Sequence, residues 1–440
     1  MKKIIILLLL PLAVAAQKNY PVLLNDYAQA AFKAKDFNGA VLVVQKDKVI
    51  YKKAFGLADR EWNIANTVET KFRIGSVTKQ FTAACVLQLV EQGKLSTDDK
   101  LTKYIPDYPK GDSITIHMLL NHTSGITNYT NLPEFWPKAV LPLSIDSMIA
   151  LFKNKPLDFS PGSKWNYSNS GYFLLGVIVE KVSGKTFSEY LNQNIIAKIG
   201  LKNTSLDRLD SVLSFRAKGY EKNQQGVWAH AMYISMEGPY SAGAIVSTVD
   251  DLYQWTKALH DNKILSAAST QKMMTPYMNK YGYGIGIDSL KTHKLVSHNG
   301  GIPGFVTNLS YYPADDVCVV VVSNNGSNSD GVSSALASIL FDLPVQKPYL
   351  PKEVKIDTSL LDKYIGKYIA TNPIEIIKKN GKLYRHRDGS DDVELKPESA
   401  TRFFYADDSD RFIEFDIDKT GKLIKGWFIA NGNKTEMKKQ

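Results

Sequence analysis

The sequence predicts an α+β protein: an antiparallel sheet flanked by helices, with a large helical insertion, followed by a small C-terminal antiparallel β-barrel. Three observations predict it. Strand-like apolar runs stand far apart in the first 343 residues, at 39–44 and 317–323, with mostly helical periodicity between them. Residues 343–351 then hold three prolines in nine positions and read as a stiff linker. Beyond it, short alternating runs such as Arg411-Phe412-Ile413-Glu414-Phe415-Asp416-Ile417 recur between the turn signals Asn380-Gly381, Asp388-Gly389, Thr420-Gly421 and Asn431-Gly432. Up to eight short strands fit between residues 364 and 439.

Taken in order, Met1-Lys2-Lys3 and the apolar stretch to Ala16 predict a secretory signal peptide over residues 1–16, too short to span a bilayer as a mature helix. A helix is expected around residues 25–35, then two strands at 39–44 and 49–55 joined by the polar turn Lys46-Asp47-Lys48. Residues 76–263 read as mainly helical with long loops. Within them Tyr172, Leu175, Val179 and Val182 mark one clear helix, stopped by Gly184. Strand character returns at 282–287, at 294–298, and at 308–312 continuing into 317–323, and a last helix fits 331–341. The expected division is a main domain over 17–343, a linker over 344–355 and the barrel over 356–440, since 440 residues exceed one ordinary core.

Bulk composition excludes more than it selects. The formal charge is +10, but the basic residues are scattered, without a Lys/Arg block or an aromatic-interleaved basic stripe, so nucleic acid is not an expected partner. Cys85 and Cys318 each fall in an apolar run and read as small core residues. The seven histidines are dispersed, with no His-x-x-x-His or Cys-x-x-Cys pair, so no metal or other cofactor is expected. The expected partner is a small-molecule or peptide substrate. Neither oligomeric state nor pairing of the two cysteines follows from the sequence.

The chemistry begins at Ser76-Val77-Thr78-Lys79, at the head of an almost wholly apolar helical run. Three residues apart on a helix, the hydroxyl and the amine face the same way. A serine needs something to take its proton, and a lysine desolvated by burial can do so. The segment Ser269-Thr270-Gln271-Lys272 repeats the spacing in a polar stretch and reads as a solvated helix face. Gly93 should end the first helix, and Ser96-Thr97-Asp98-Asp99 should cap the next. Further along, Tyr167-Ser168-Asn169 puts a phenol and an amide on a polar loop just before a helix. A phenol beside an ammonium is expected to have its pKa lowered. Ser297-His298-Asn299-Gly300-Gly301 ends a strand in glycines, which let a substrate backbone approach and leave N–H groups free. His122, in Leu119-Leu120-Asn121-His122-Thr123-Ser124-Gly125, reads as a loop-ordering residue.

In this order the three motifs Ser76-x-x-Lys79, Tyr167-Ser168-Asn169 and His298-Asn299-Gly300 resemble those of the penicillin-recognising serine hydrolases related to class C β-lactamases. That group includes D-alanyl-D-alanine carboxypeptidases, D-amino-acid peptidases and esterases. The likeness runs through Ala242-Gly243-Ala244-Ile245-Val246-Ser247 and covers residues 37–343, and the tail resembles a lipocalin-like domain. The resemblance implies a β-lactamase/transpeptidase-like fold. It makes Ser76 the acylated nucleophile, Lys79 its activator and Tyr167 the general acid/base, with His298 in the catalytic set. Asn169, Asn299, Gly300 and Gly301 would face the substrate, and the amides of Ser76 and Gly301 would form the oxyanion hole. The chain departs from the pattern by carrying His298 where class C β-lactamases have lysine, and Asn299 where several relatives have threonine. A histidine partly charged near neutrality would anchor an anionic substrate less well as pH rises. The expected function is an exported, periplasmic or secreted, serine hydrolase working through an acyl-enzyme on small esters or amides, D-amino-acid peptides among them. The alternatives are a weak β-lactamase and an acylated sensor that does not turn over.

Overall fold

The computed structural model describes residues 18–440 apart from 209, 224, 371, 408–410 and 431–432; the expected signal peptide and the Asn431-Gly432 turn lie outside the described residues. The central sheet has six antiparallel strands: β1 (Gly39–Gln45), β2 (Lys48–Phe55), β3 (Gly286–Leu290), β4 (His293–Ile302), β5 (Phe305–Tyr312) and β6 (Val317–Ser323). Their spatial order is β3-β4-β5-β6-β1-β2, so β1 and β6 pair although the helical region separates them in the chain. The main helices around the sheet are α1 (Tyr20–Lys35), α2 (Thr78–Glu91), α3 (Asn169–Ser183), α4 (Val249–His260) and α5 (Ser329–Leu340).

Side-chain alternation explains the layering. Val41, Val43, Val319 and Val321 point to one face, where they join residues of α1 and α5 in one apolar core. Ala40, Leu42, Val44, Cys318, Val320 and Val322 point to the other and merge with α2, α3 and α4. A strand covered on both faces has no reason to alternate, hence the unbroken valine run of β6. Both thiols are buried and free, Cys85 within α2 and Cys318 within β6.

Helix α2 is enclosed on all sides: residues 78–89 are all buried. The side chains of Gln80 and Thr82 and the Gln88 amide nitrogen find partners in the surrounding structure. Thr82 donates to the Ser241 carbonyl at 2.6 Å, Gln80 accepts from the Trp255 indole at 2.8 Å, and Trp255 stacks on Phe81 with ring centroids 3.9 Å apart. Helix α3 is capped by Ser168 and ends at Gly184, whose φ of +68° is the left-handed conformation glycine adopts freely. Two expectations fail. Ser96 and Asp99 do not start a helix; Asp99 accepts the Ser96 N–H and Ser96 accepts the Asp98 N–H, closing a turn that leads into a single 3₁₀ turn, Leu101–Lys103. The strand expected at 282–287 begins only at Gly286, because Gly284 (φ +69°) turns the chain against the start of α2, where a Cβ would lie 2.6 Å from the Lys79 carbonyl oxygen.

Residues from Gly366 to Lys439 form a closed antiparallel barrel of eight strands, the first pairing with the last through Tyr368 and Lys439. Its interior is filled by side chains: Tyr364 stacks on Phe415 at 4.1 Å, packed with Phe403, Ile376, Leu383 and Met437.

Three buried asparagines fasten the chain where it enters β1 and leaves β6, side by side in the middle of the sheet. The Asn324 side chain accepts from the Asn38 and Asn66 amides and donates to the Leu57 and Lys218 carbonyls at 3.0 and 2.8 Å. Asn324→Ala strands several buried polar groups at once, and is expected to lower unfolding free energy by about 3 kcal/mol in urea titrations.

Candidate active site

Ser76 lies in a 3₁₀ turn, Gly75–Val77, one step ahead of α2 rather than inside it. That turn rests directly on β4. A Cβ on Gly300 would stand 1.9 Å from the Ile74 carbonyl oxygen and 3.1 Å from the Ser76 nitrogen, and one on Gly75 (φ +52°) 2.9 Å from the Gly301 nitrogen. The glycines therefore let two backbones meet without side chains between them, and bring the Ser76 and Gly301 amides to the same place. Strand β3 stops opposite Ser297, so residues 298–302 of β4 have no strand on that side.

Lys79 is fully buried. Its nitrogen makes three contacts: 2.7 Å to Asn169 Oδ1, 2.7 Å to the Ala242 carbonyl and 3.0 Å to Ser76 Oγ. Burial holds its pKa well below the usual lysine range. The first two oxygens can only accept, so they take two N–H groups. What remains toward Ser76 in a neutral amine is the lone pair, the group that receives a serine proton.

Tyr167 presents its ring 4.8 Å from Lys79 Nζ. Its hydroxyl is sealed from solvent and has no well-formed hydrogen bond among the described residues, though the Ser76 hydroxyl is near enough to offset part of the rise that burial imposes on its pKa. The lowered phenol pKa expected from the sequence is thus reversed: desolvation dominates, the Ser76 hydroxyl offsets it only in part, and Tyr167 rests protonated. His298 is also buried, with Nδ1 2.6 Å from the Asn299 carbonyl and Nε2 2.8 Å from the Tyr281 hydroxyl. A carbonyl can only accept, so Nδ1 carries the hydrogen and Nε2 accepts from Tyr281.

Ser76, Lys79, Tyr167, Asn169, His298, Gly300 and Gly301 are brought together. Asn169 heads α3, where it holds Lys79 and donates to Thr130 Oγ1 at 3.2 Å. Asn299 stands apart. Strand alternation turns it to the opposite face from His298, where it donates to Asp330 on α5 at 3.0 Å. The second serine–lysine pair lies on a separate helix, Ala267–Met273, where Lys272 donates to Thr97. Sequence reasoning missed the Ala242 carbonyl, which carries no side-chain signal, and Tyr281. The tyrosine sits in Tyr281-Gly282-Tyr283-Gly284, whose glycines mark a close backbone approach, but nothing local points it at His298.

Residues 24–340 match the family model described as Beta-lactamase. The chain is similar to Penicillin-binding protein 4* of Bacillus subtilis, 29% identical over an alignment of 398 residues, which covers 84% of this chain and 88% of that protein. It is also similar to the teichoic acid D-alanine hydrolase of Staphylococcus aureus, 27% identical over 72% of this chain and 77% of that one. Among solved structures, the octameric penicillin-binding protein homologue from Pyrococcus abyssi superposes with a TM-score of 0.68 at 25% identity, over 97% of this chain and all of that one.

The proton on His298 distinguishes this site from one built on a lysine. Burial lowers its pKa to about 4, so the expected partial charge near neutrality is absent. The unfolded chain takes up this proton below about pH 6.5 and the folded one only near the lowered value, so the contribution to stability is complete above about pH 6.5 and is lost as pH falls from there through the lowered value. Imidazole NMR should show no titration of His298 between pH 5 and pH 8. KM for carboxylate-bearing substrates should carry no step over that range attributable to it.

Proposed function

The chain belongs to the Beta-lactamase family and is a serine hydrolase, and we propose that Ser76 is its acylated nucleophile, with Lys79 as the base that frees it. The observation that carries this reading is the Lys79 nitrogen, fully desolvated and pinned by two acceptor-only oxygens with its third contact on Ser76 Oγ. Ser76 passes its proton to Lys79 and attacks the acyl carbon. Tyr167, protonated at rest, gives its proton to the departing oxygen or nitrogen and is reprotonated from Lys79. Water then repeats the sequence in reverse to release the acid. The amides of Ser76 and Gly301 receive the developing oxyanion, an interaction that contributes about 3 kcal/mol per donor. His298 acts as a neutral, hydrogen-bonded wall of the site rather than as a cation.

Small esters and amides, D-aminoacyl compounds among them, are the substrates we propose, outside the membrane in a periplasm or secreted. The similarity to a teichoic acid D-alanine hydrolase supports the D-aminoacyl part. A neutral His298 and an Asn299 tied to Asp330 support substrates that need no carboxylate anchor, and weigh against efficient β-lactam or carboxypeptidase turnover. Among the described residues no helix is long and apolar enough to cross a membrane. We assign residues 17–343 as the hydrolase domain, 344–355 as a linker and 356–440 as a stabilising appendage whose filled interior favours packing over ligand storage.

Hydrolysis of a short-chain nitrophenyl ester, a D-aminoacyl anilide and a chromogenic cephalosporin tests the assignment, each beside Ser76→Ala. The ester and the anilide should be turned over by the parent protein and slowed at least about a thousandfold in the variant, with the cephalosporin the poorest of the three. Turnover that survives in Ser76→Ala would overturn the nucleophile assignment, and a preference for the cephalosporin would overturn the substrate class.

A further inference from the structure

Three buried side-chain atoms without a hydrogen-bond partner among the described residues belong to neighbouring rings in the site: His122 Nε2, Trp165 Nε1 and the Tyr167 hydroxyl. The His122 ring centroid is 4.3 Å from that of Tyr167 and 6.0 Å from that of Trp165, to which it stands perpendicular. Tyr281 packs against the same rings, its centroid 4.8 Å from that of His122 and 5.9 Å from that of Trp165. An unpaired buried donor costs on the order of 1–3 kcal/mol, and the usual remedy for a cluster of them is a buried water making about three hydrogen bonds.

The donor pattern follows from the local fold. His122 is fixed with φ +63°, and its Nδ1 accepts the Ser168 N–H at 3.2 Å. Burial keeps the ring neutral, and with Nδ1 accepting from Ser168 the hydrogen sits on Nε2. His122 Nε2 and Trp165 Nε1 are therefore both donors. Tyr167 can donate or accept.

We propose that His122 and Trp165 hold one buried water against the Tyr167 oxygen, and are positioning residues for its proton transfer. The water accepts from both N–H groups and donates one O–H to the phenol oxygen. With its lone pairs taken, it cannot receive the phenol's hydrogen, which is left to point toward Ser76 and the leaving group. When that O–H bond breaks and the leaving atom takes the proton, the electron pair left on the phenol oxygen meets the water's O–H until Lys79 returns a proton. The other groups around Tyr167 are the Ser76 hydroxyl, the Lys79 amine, the Tyr129, Tyr172 and Tyr281 hydroxyls and the neutral His298; of these Ser76 can offer a hydrogen at rest, but it has passed that hydrogen to Lys79 before the phenol gives up its own.

This inference rests on the proposed role of Tyr167, and two variants test it with the full-length protein. His122→Asn suits the left-handed backbone, keeps an acceptor near the Nδ1 position and removes the Nε2 donor. Trp165→Phe keeps an aromatic ring and removes the indole N–H. Both should stay folded by circular dichroism. On the nitrophenyl ester, whose leaving group departs without a proton, each should lower kcat/KM by less than about threefold; on the anilide, by about tenfold or more. A merely structural role would lower both substrates alike, and that result would overturn the proposal. A crystal structure of the parent protein should show an ordered water within hydrogen-bond reach of all three atoms. In His122→Asn the Trp165 indole proton should lose protection from hydrogen exchange. An unfilled cage, or unchanged indole protection, would overturn the water even if neither substrate were turned over, whereas absence of turnover with the water present would count against the catalytic reading alone.

Discussion

The contact on which the site depends is the buried nitrogen of Lys79. Three separate stretches of chain deliver an oxygen to it: the turn before α2 through Ser76, the head of α3 through Asn169, and the segment at residues 240–243 through the Ala242 carbonyl. An amine placed in an apolar interior is tolerated only with such partners, so the same requirement that keeps Lys79 in the core also aligns the elements that carry the chemistry. The sealing of α2 follows from this. Gly176 on α3 approaches so closely that a Cβ there would lie 2.1 Å from Ser241 Oγ, which presses the three elements together around the nitrogen.

The second constraint is the close passage of β4 beneath the serine turn. Gly75 and Gly300 act as a pair: a side chain on either would push the Ser76 and Gly301 amides apart. Polar substituents then sort by strand alternation, with His298 facing the reaction centre and Asn299 given over to Asp330. The site is accordingly poor in charge. Apart from Lys79 its inner wall is made of hydroxyls, amides and neutral rings, a setting suited to moving protons over short distances rather than to gripping an ionic substrate.

Much of this is legible in the sequence, for physical reasons that differ by element. The sheet strands announce themselves because burial on both faces demands continuous apolar runs, and the barrel because tight hairpins demand Asn-Gly and Asp-Gly pairs. Ser76 and Lys79 are found because a nucleophile and its base must lie one helical turn apart, and Tyr167 and Asn169 because the three motifs in order resemble those of a known family. The direction of the Tyr167 and His298 pKa shifts is not legible, since a sequence reveals neighbouring charges more readily than depth of burial. Ser96-Thr97-Asp98-Asp99 has the chemistry of a helix cap, yet its side chains close on one another before a helix can begin. Ala242 is out of reach because it acts through its backbone carbonyl, and Tyr281 because only the path of the chain brings its hydroxyl to His298.

The asparagine cluster that joins the start of β1 to the end of β6 also sets a timetable. Asn38 and Asn324 are 286 residues apart, and β1 has no partner on its β6 side until that whole stretch exists. At ordinary rates of synthesis the wait is about 15–60 s, long compared with hairpin formation, and the valine-rich first strand spends it with an open edge. A chain of this topology has high contact order and folds late, once nearly all of the first 325 residues are available. Such a molecule is suited to being carried unfolded and assembled as a whole at its destination, and vulnerable to pairing with a second copy of itself if it lingers on the way.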